Sequence, residues 1–235
     1  MRCITRITRT PPGPAYPLFN VAATRQIEQT LAASLPPHTL MQRAGLSVAH
    51  LVLALAPHAR TVWIACGYGN NGGDGLEAAI HLHHWGRHCV VTWLGDPDNA
   101  PSDARLSWQR ARDAGVAFAP EAPPGMTAQD LCIDALLGIG LATATRPADP
   151  RLHSLMVALQ HSAAPVLAVD IPSGLQADTG AYAHTNTPEL IATSAGGMGA
   201  IGQFHAKNTL TLLTLKPGLF TASGRDAAGT VWFDD

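Results

Sequence analysis

The chain has 235 residues, 46% of them hydrophobic and 14% charged, with a formal net charge of −2. That length can bury one substantial core, and the near-neutral balance gives no electrostatic reason to expect nucleic acid or a membrane as a partner. A charged fraction below the roughly 25% of average domains, with abundant Ala, Gly and Pro, argues against a disordered chain.

Residues 1–17 carry Arg2, Arg6 and Arg9, several threonines and no acid, and read as a flexible arm. A targeting helix there would break at Pro11-Pro12. The domain itself is expected over residues 18–235. Asn20 is placed to cap a helix over residues 22–33, in which Ala23, Ile27 and Leu31 step by four before Leu35-Pro-Pro37 ends it. Leu40, Ala44, Val48, Leu51 and Leu55 predict a second helix from Thr39 to Leu55, so two helices precede the first strand as a lid or brace. Strands and helices then alternate. Strands are expected at residues 62–66, 89–94, 116–118, 131–137, 166–171, 210–215 and 230–233. Helices are expected at residues 73–84, 104–114 (capped by Ser102) and 150–160. Near-continuous apolar strands separated by helices predict an α/β fold, a mostly parallel sheet covered on both faces. Residues 181–208 read as a long loop, functional or disordered.

No apolar run approaches the ~20 residues of a membrane span; the longest, near residues 46–56, contains His50 and ends at Pro57. Cys3, Cys66, Cys89 and Cys132 form no C-x-x-C pair, and three lie in apolar runs. Small buried thiols and reduced, cytoplasmic surroundings are expected.

The glycine turn Gly67-Tyr-Gly-Asn-Asn-Gly-Gly-Asp-Gly75 sits between a strand and a helix, the order that brings phosphate to a helix N-terminus. Gly67, Gly69 and Gly72 satisfy G-x-G-x-x-G, a weak signal by itself. Asn70, Asn71 and Asp74 distinguish it from a bare dinucleotide loop, because a carboxylate there would repel a phosphate docked at the same amides. The turn therefore reads as one that hydrogen-bonds hydroxyls or amides, or holds a cation, as well as approaching phosphate. Capping alone is the plainer alternative for any one of these residues.

Ligands of parallel sheets bind beyond the carboxyl ends of the strands. Two further strand ends carry Asp134 and Asp170, the latter followed by Ser173. A carboxylate in an apolar strand is costly unless paired or used. Asn71, Asp134 and Ser173 together form a hard oxygen set, suited to an alkali or alkaline-earth cation rather than zinc. His81, His83 and His84 read as surface or packing residues. Lys216, in Leu215-Lys-Pro-Gly-Leu219, either reaches an anion or is an exposed turn lysine.

Gly69-Asn-Asn-Gly-Gly-Asp-Gly75, Asp134-Ala-Leu-Leu-Gly138, Val169-Asp-Ile-Pro-Ser-Gly174 with Asp178-Thr-Gly180, Leu215-Lys-Pro-Gly-Leu219 and Met41-Gln-Arg-Ala-Gly45 resemble the NAD(P)H-hydrate epimerases, the YjeF N-terminal domain family. The resemblance runs in consistent order from about Leu18 to Asp234. It implies a Rossmann-like sheet, a bound potassium ion, and interconversion of the R and S forms of NADHX and NADPHX. Carried over by position, substrate is bound by Asn70, Asn71, Gly72, Gly73 and Asp74, by Gly138, Ile139, Gly140, Leu141, Ala142, Thr143 and Ala144, and by Asp170. Potassium falls to Asn71, Asp134 and Ser173. A homodimer and an ADP- or ATP-dependent dehydratase, fused or separate, are further partners to expect. Ile139 stands where a hydroxyl residue is expected, which removes one substrate hydrogen bond.

The substrate carbon bears both a hydroxyl and the ring nitrogen, whose lone pair can expel the hydroxyl to leave a planar cation open to water on either face. Asp134 and Asp170 are the catalytic candidates for protonating the oxygen and stabilising the cation. Binding Asp134 to the metal ion would favour Asp170, or a metal-bound water, as the acid. The rival readings are a binding module without catalysis and, through Asp96 after the second strand, an NAD-dependent dehydrogenase.

Overall fold

A computed structural model of the chain describes residues 4–8, 15–140, 149–182 and 205–235. The expected substrate residues Leu141, Ala142, Thr143 and Ala144, most of the 181–208 loop and much of the N-terminal arm lie outside these residues.

The strands are β1 (Thr5–Arg6), β2 (Val62–Cys66), β3 (Cys89–Trp93), β4 (Ala117–Phe118), β5 (Leu131–Ala135), β6 (Val166–Val169), β7 (Asn208–Leu212) and β8 (Thr230–Asp234). The helices are α1 (Val21–Ala33), α2 (Thr39–Leu55), α3 (Asn70–His84), α4 (Ser102–Asp113), α5 (Pro150–His161) and the short α6 (Gly224–Ala227). The strands form one sheet in the order β1-β8-β7-β6-β5-β2-β3-β4, parallel at every pairing except β1 with β8. The expected α/β architecture is therefore present. From β2 the chain runs outward to β3 on one side, while β5 flanks it on the other, so the order reverses between β2 and β5. Such a reversal opens a crevice at the strands' carboxyl ends.

Alternation along the strands divides the core. Val62, Ile64 and Cys66 face a layer built with Val48, Leu51 and Val52 of α2 and Leu76, Ala79 and Leu82 of α3. Trp63 and Ala65 point the other way, toward Leu155, Met156 and Leu159 of α5. Two-residue periodicity in the strands and helical periodicity outside them produce a three-layer stack. A third cluster, around Ile171, Leu175, Leu215 and Val231, includes Ile139 among its partly buried members.

Asn20 caps α1 as expected, its Oδ1 accepting from Ala23 N at 2.9 Å. Several boundaries differ from the sequence reading: β7 lies two residues earlier at its start and three at its end, and β5 stops at Ala135 rather than residue 137. Helix α3 begins at Asn70 rather than Gly73, so the Asn-Asn-Gly-Gly run is helical and only residues 67–69 make the turn. Its small residues permit close packing: a Cβ at Gly72 would meet the backbone of Gly67, and one at Gly75 would meet Ala135 and Cys66. Ser102 lies within α4, and Pro101 precedes it without a side-chain cap. Strand β6 stops at Val169 because Asp170 takes φ 67, which turns the chain out of the sheet. Thr5 and Arg6, read as part of a free arm, pair with Phe233 and Trp232, and Ile4 and Ile7 pack on the core. Two isoleucines flanking the pair, each packed on a different core cluster, beside an otherwise bare strand edge explain the docking.

Candidate functional site

The carboxyl ends of β2, β5 and β6 open into a cavity of about 810 Å³, bordered by α1 and the start of α2. Asn70, Asn71 and Asp74 of α3 line it, with the turn Gly138-Ile-Gly140 and Asp170. These are expected site residues from three separate strand tips. The lid contributes Arg25, Glu28 and His38.

Asp170 is held from two sides. Its φ of 67 lies in the left-handed region, strained for a side-chain-bearing residue though less so for aspartate. Its Oδ1 accepts from Leu212 N at 3.3 Å and from the ammonium of Lys216. Lys216 is only 1% exposed and also donates to Thr211 Oγ1 at 3.1 Å and to Leu212 O at 2.7 Å. It is therefore no exposed turn residue. Of the two readings of Lys216, the structure supports the one that places it against an anion, here the Asp170 carboxylate. The signal in the sequence was a lysine directly after a strand's apolar run, where an exposed turn and a buried ion pair look alike.

Asp134 does not line the cavity. It is fully buried, and its Oδ1 accepts from Ser173 Oγ at 2.6 Å and Leu136 N at 3.2 Å. Its Oδ2 accepts from Ser173 N at 2.8 Å. Ser173 Oγ accepts in turn from Leu137 N at 2.8 Å. Burial pushes the Asp134 carboxyl up to about 6, against the opposing pull of these hydrogen bonds. Among the described residues no cationic side chain pairs with it. A direct proton-transfer role, one of the two expected for Asp134, has no path to the cavity in this arrangement. Asn71 sits against Gly138, and its amide Nδ2 is buried without a partner among the described residues.

Gly72 and Gly73, expected to touch substrate, are buried instead against Gly67 and Met41. They carry the close approach of α3 rather than a cavity wall. Ile139 lines the cavity edge while packing on the third core cluster. Asp96 accepts from Asp98 N at 3.0 Å and Asn99 Nδ2 at 2.6 Å, closing its own exposed turn. It is not placed to hold a ribose in this cavity. Of the three histidines, His81 lies tilted against Trp85, with ring centroids 5.8 Å apart, and burial lowers its pKa. Among the described residues no group of three His, Cys, Asp or Glu side chains is placed to hold a metal.

The sequence reading missed the lid residues. Glu28 is raised by burial and by Asp170, with Lys216 and Arg25 opposing. Asp74 is raised well above the usual carboxylate range by burial, then by Asp170, Glu28 and Glu77, with Lys216 opposing. His38 Nε2 lies 2.9 Å from Glu77 Oε1, and Arg110 grips the same carboxylate through Nε at 2.9 Å and a terminal nitrogen at 3.2 Å. This buried network ties the start of α2 to α3 and α4. Only tertiary contact reveals it, because the three partners are far apart in sequence.

The family model described as YjeF-related protein N-terminus matches residues 37–218. The NAD(P)H-hydrate epimerase of Limosilactobacillus fermentum is 33% identical over 197 residues, covering 84% of this chain and 85% of the relative. The bifunctional NAD(P)H-hydrate repair enzyme Nnr of Vibrio cholerae serotype O1 is 38% identical over 196 residues, covering 83% of this chain and 35% of the relative. The chain thus spans about a third of that bifunctional relative's length. The crystal structure of yeast ynu0 (YNL200c) superposes with a TM-score of 0.60 over 86% of this chain and 82% of that one, at 18% identity, and shares the fold.

Proposed function

The chain belongs to the YjeF-related protein N-terminus family, and from that premise we propose that it is an isomerase that interconverts the R and S forms of NADHX and NADPHX. One observation carries the reading: Asn70-Asn71, the Gly138–Gly140 turn and the Asp170–Lys216 pair face one cavity large enough for a nucleotide. Supporting it are the relatives that bear the epimerase name along most of this chain.

The chain's own groups have distinct parts in this chemistry. Backbone N–H groups at the start of α3 lack intrahelical partners and suit an anionic diphosphate. The Asp170 carboxylate, fixed by Lys216, offers negative charge to the cationic ring formed when the hydroxyl leaves. Helix α1 and the start of α2 border the cavity and would shield one side of the ring from bulk water.

Asn71, Asp134 and Ser173 would hold the proposed potassium ion. A buried carboxylate that no cationic side chain pairs among the described residues, hydrogen-bonded to the Ser173 hydroxyl, suits a hard monovalent ion, to which Asn71 would offer its Oδ1. Such an ion would supply positive charge that fixes the turn after β5. The dehydratase and a second copy of the chain are proposed partners only.

The test is chromatographic. Epimerically enriched NADHX and NADPHX are incubated with and without the protein, and the approach to the R/S equilibrium is followed. Equilibration clearly faster than the uncatalysed background is expected. Tight binding without acceleration would leave only a binding module.

A further inference from the structure

We infer that Asp74 is the general acid of this site, working opposite the Asp170–Lys216 pair; the inference rests on the epimerase reading. Asp74 lines the cavity from the second turn of α3, on a rigid helix, and among the described residues its carboxyl is engaged by no hydrogen bond. The two aspartates expected from sequence to be catalytic are committed. Asp134 is enclosed by Ser173 and Leu136, and Asp170 is ion-paired with Lys216, a poor arrangement for a proton donor.

The charges around Asp74 favour its neutral form. Asp170 faces it from the end of β6, Glu28 from α1 and Glu77 from its own helix, while Lys216 is the opposing cation. Arg25, His38, Arg43 and Asp103 from α1, α2 and α4, with Tyr68, Asp234 and Asp235, are the other charged and titratable residues of the wall, and the buried Cys66 thiol of β2 lies close enough to feel Asp74. Lys216 already serves Asp170, Thr211 and Leu212, and Arg110 and His38 already serve Glu77. Several carboxyls share too little positive charge for all to ionise, and among the described residues Asp74 and Glu28 are the two raised carboxyls with no hydrogen-bonded or ion-paired partner to hold them charged. Glu28 is raised too, but it rides on the lid with Arg25 one helical turn away.

The step balances. The Asp74 carboxyl gives its proton to the departing hydroxyl as the carbon–oxygen bond breaks, and the bonding pair leaves with the oxygen as water. The ring nitrogen's lone pair forms the C=N bond of a planar cation, which the Asp170 carboxylate faces. Water adds to either face, and its proton returns to the Asp74 carboxylate through cavity water. No oxidant or further reactant is needed.

The experiment compares wild type, Asp74→Asn and Glu28→Gln in the epimerisation assay from pH 5 to 9, with thermal unfolding of each as a fold control. Asn reproduces the shape of a protonated Asp, so D74N is expected to fold. The expected result is a kcat lower by about 10²–10⁴-fold with KM little changed. The falling limb at high pH, which in wild type reports loss of the Asp74 proton, should be absent from the residual activity. A D74N rate within a few-fold of wild type, or transfer of both effects to E28Q, overturns the assignment. If D74N does not fold, the wild-type profile decides, because a rate that stays level to pH 9 has no such acid. An inactive wild-type protein would instead bring down the epimerase reading itself.

Discussion

Asp134 links one residue to the whole stability curve. Its carboxyl titrates at about 6 in the folded chain and near 3.9 when unfolded. The native state therefore binds more protons between these values, and stability falls as pH rises from about 4 through about 6. The full effect is at most about 3 kcal/mol. A potassium ion that binds only the native carboxylate would oppose the loss. Melting temperatures in potassium chloride and in choline chloride of equal ionic strength should therefore agree near pH 4 and diverge above pH 6, with potassium higher. Coinciding curves at pH 7.5 would argue against the ion. Lys216 gives a sharper result. Lys216→Met strands the partly buried Asp170 carboxylate and two further acceptors, Thr211 Oγ1 and Leu212 O, at once. Removing one partner of a buried pair costs about 3–5 kcal/mol. Urea denaturation should show a loss of this size together with loss of epimerisation, and a change below about 1 kcal/mol would mean the pair is solvated.

Helix α3 is the element on which the site depends, and the glycines that lead into it differ in what they permit. A Cβ at Gly67 would fall on the carbonyl oxygen of Leu136, where β2 and β5 separate, whereas one at Gly69 meets nothing nearby. Gly67→Ala should cost about 1–3 kcal/mol or more through overpacking against backbone. Gly69→Ala, at the helix's first cap position, should stay within about 1 kcal/mol. Equal denaturation midpoints for the two variants would show that the strand tips yield. The same helix explains why its start was misplaced from sequence. Two asparagines and two glycines read as a loop by propensity, but β2 delivers the chain directly into α3, and packing of Gly72 and Gly75 on the sheet overrides propensity.

At the scale of the whole molecule, β1 covers the outer edge of β8 with two residues. Removing residues 1–8 should leave the cavity intact while exposing a strand edge. The expected outcome is retained activity with concentration-dependent self-association by light scattering, and a fully monomeric truncated chain would show that the edge is harmless. Strand positions, the parallel alternation and the polar residues at the strand tips were legible in the sequence, because apolar periodicity and glycine turns are local properties. What the sequence left open was which charges meet. Asp74, Glu28, Asp170 and Lys216 come from four segments far apart in the chain. Whether each is paired, buried or free to hold a proton depends on distance and desolvation, which arise only when α1 closes over the sheet.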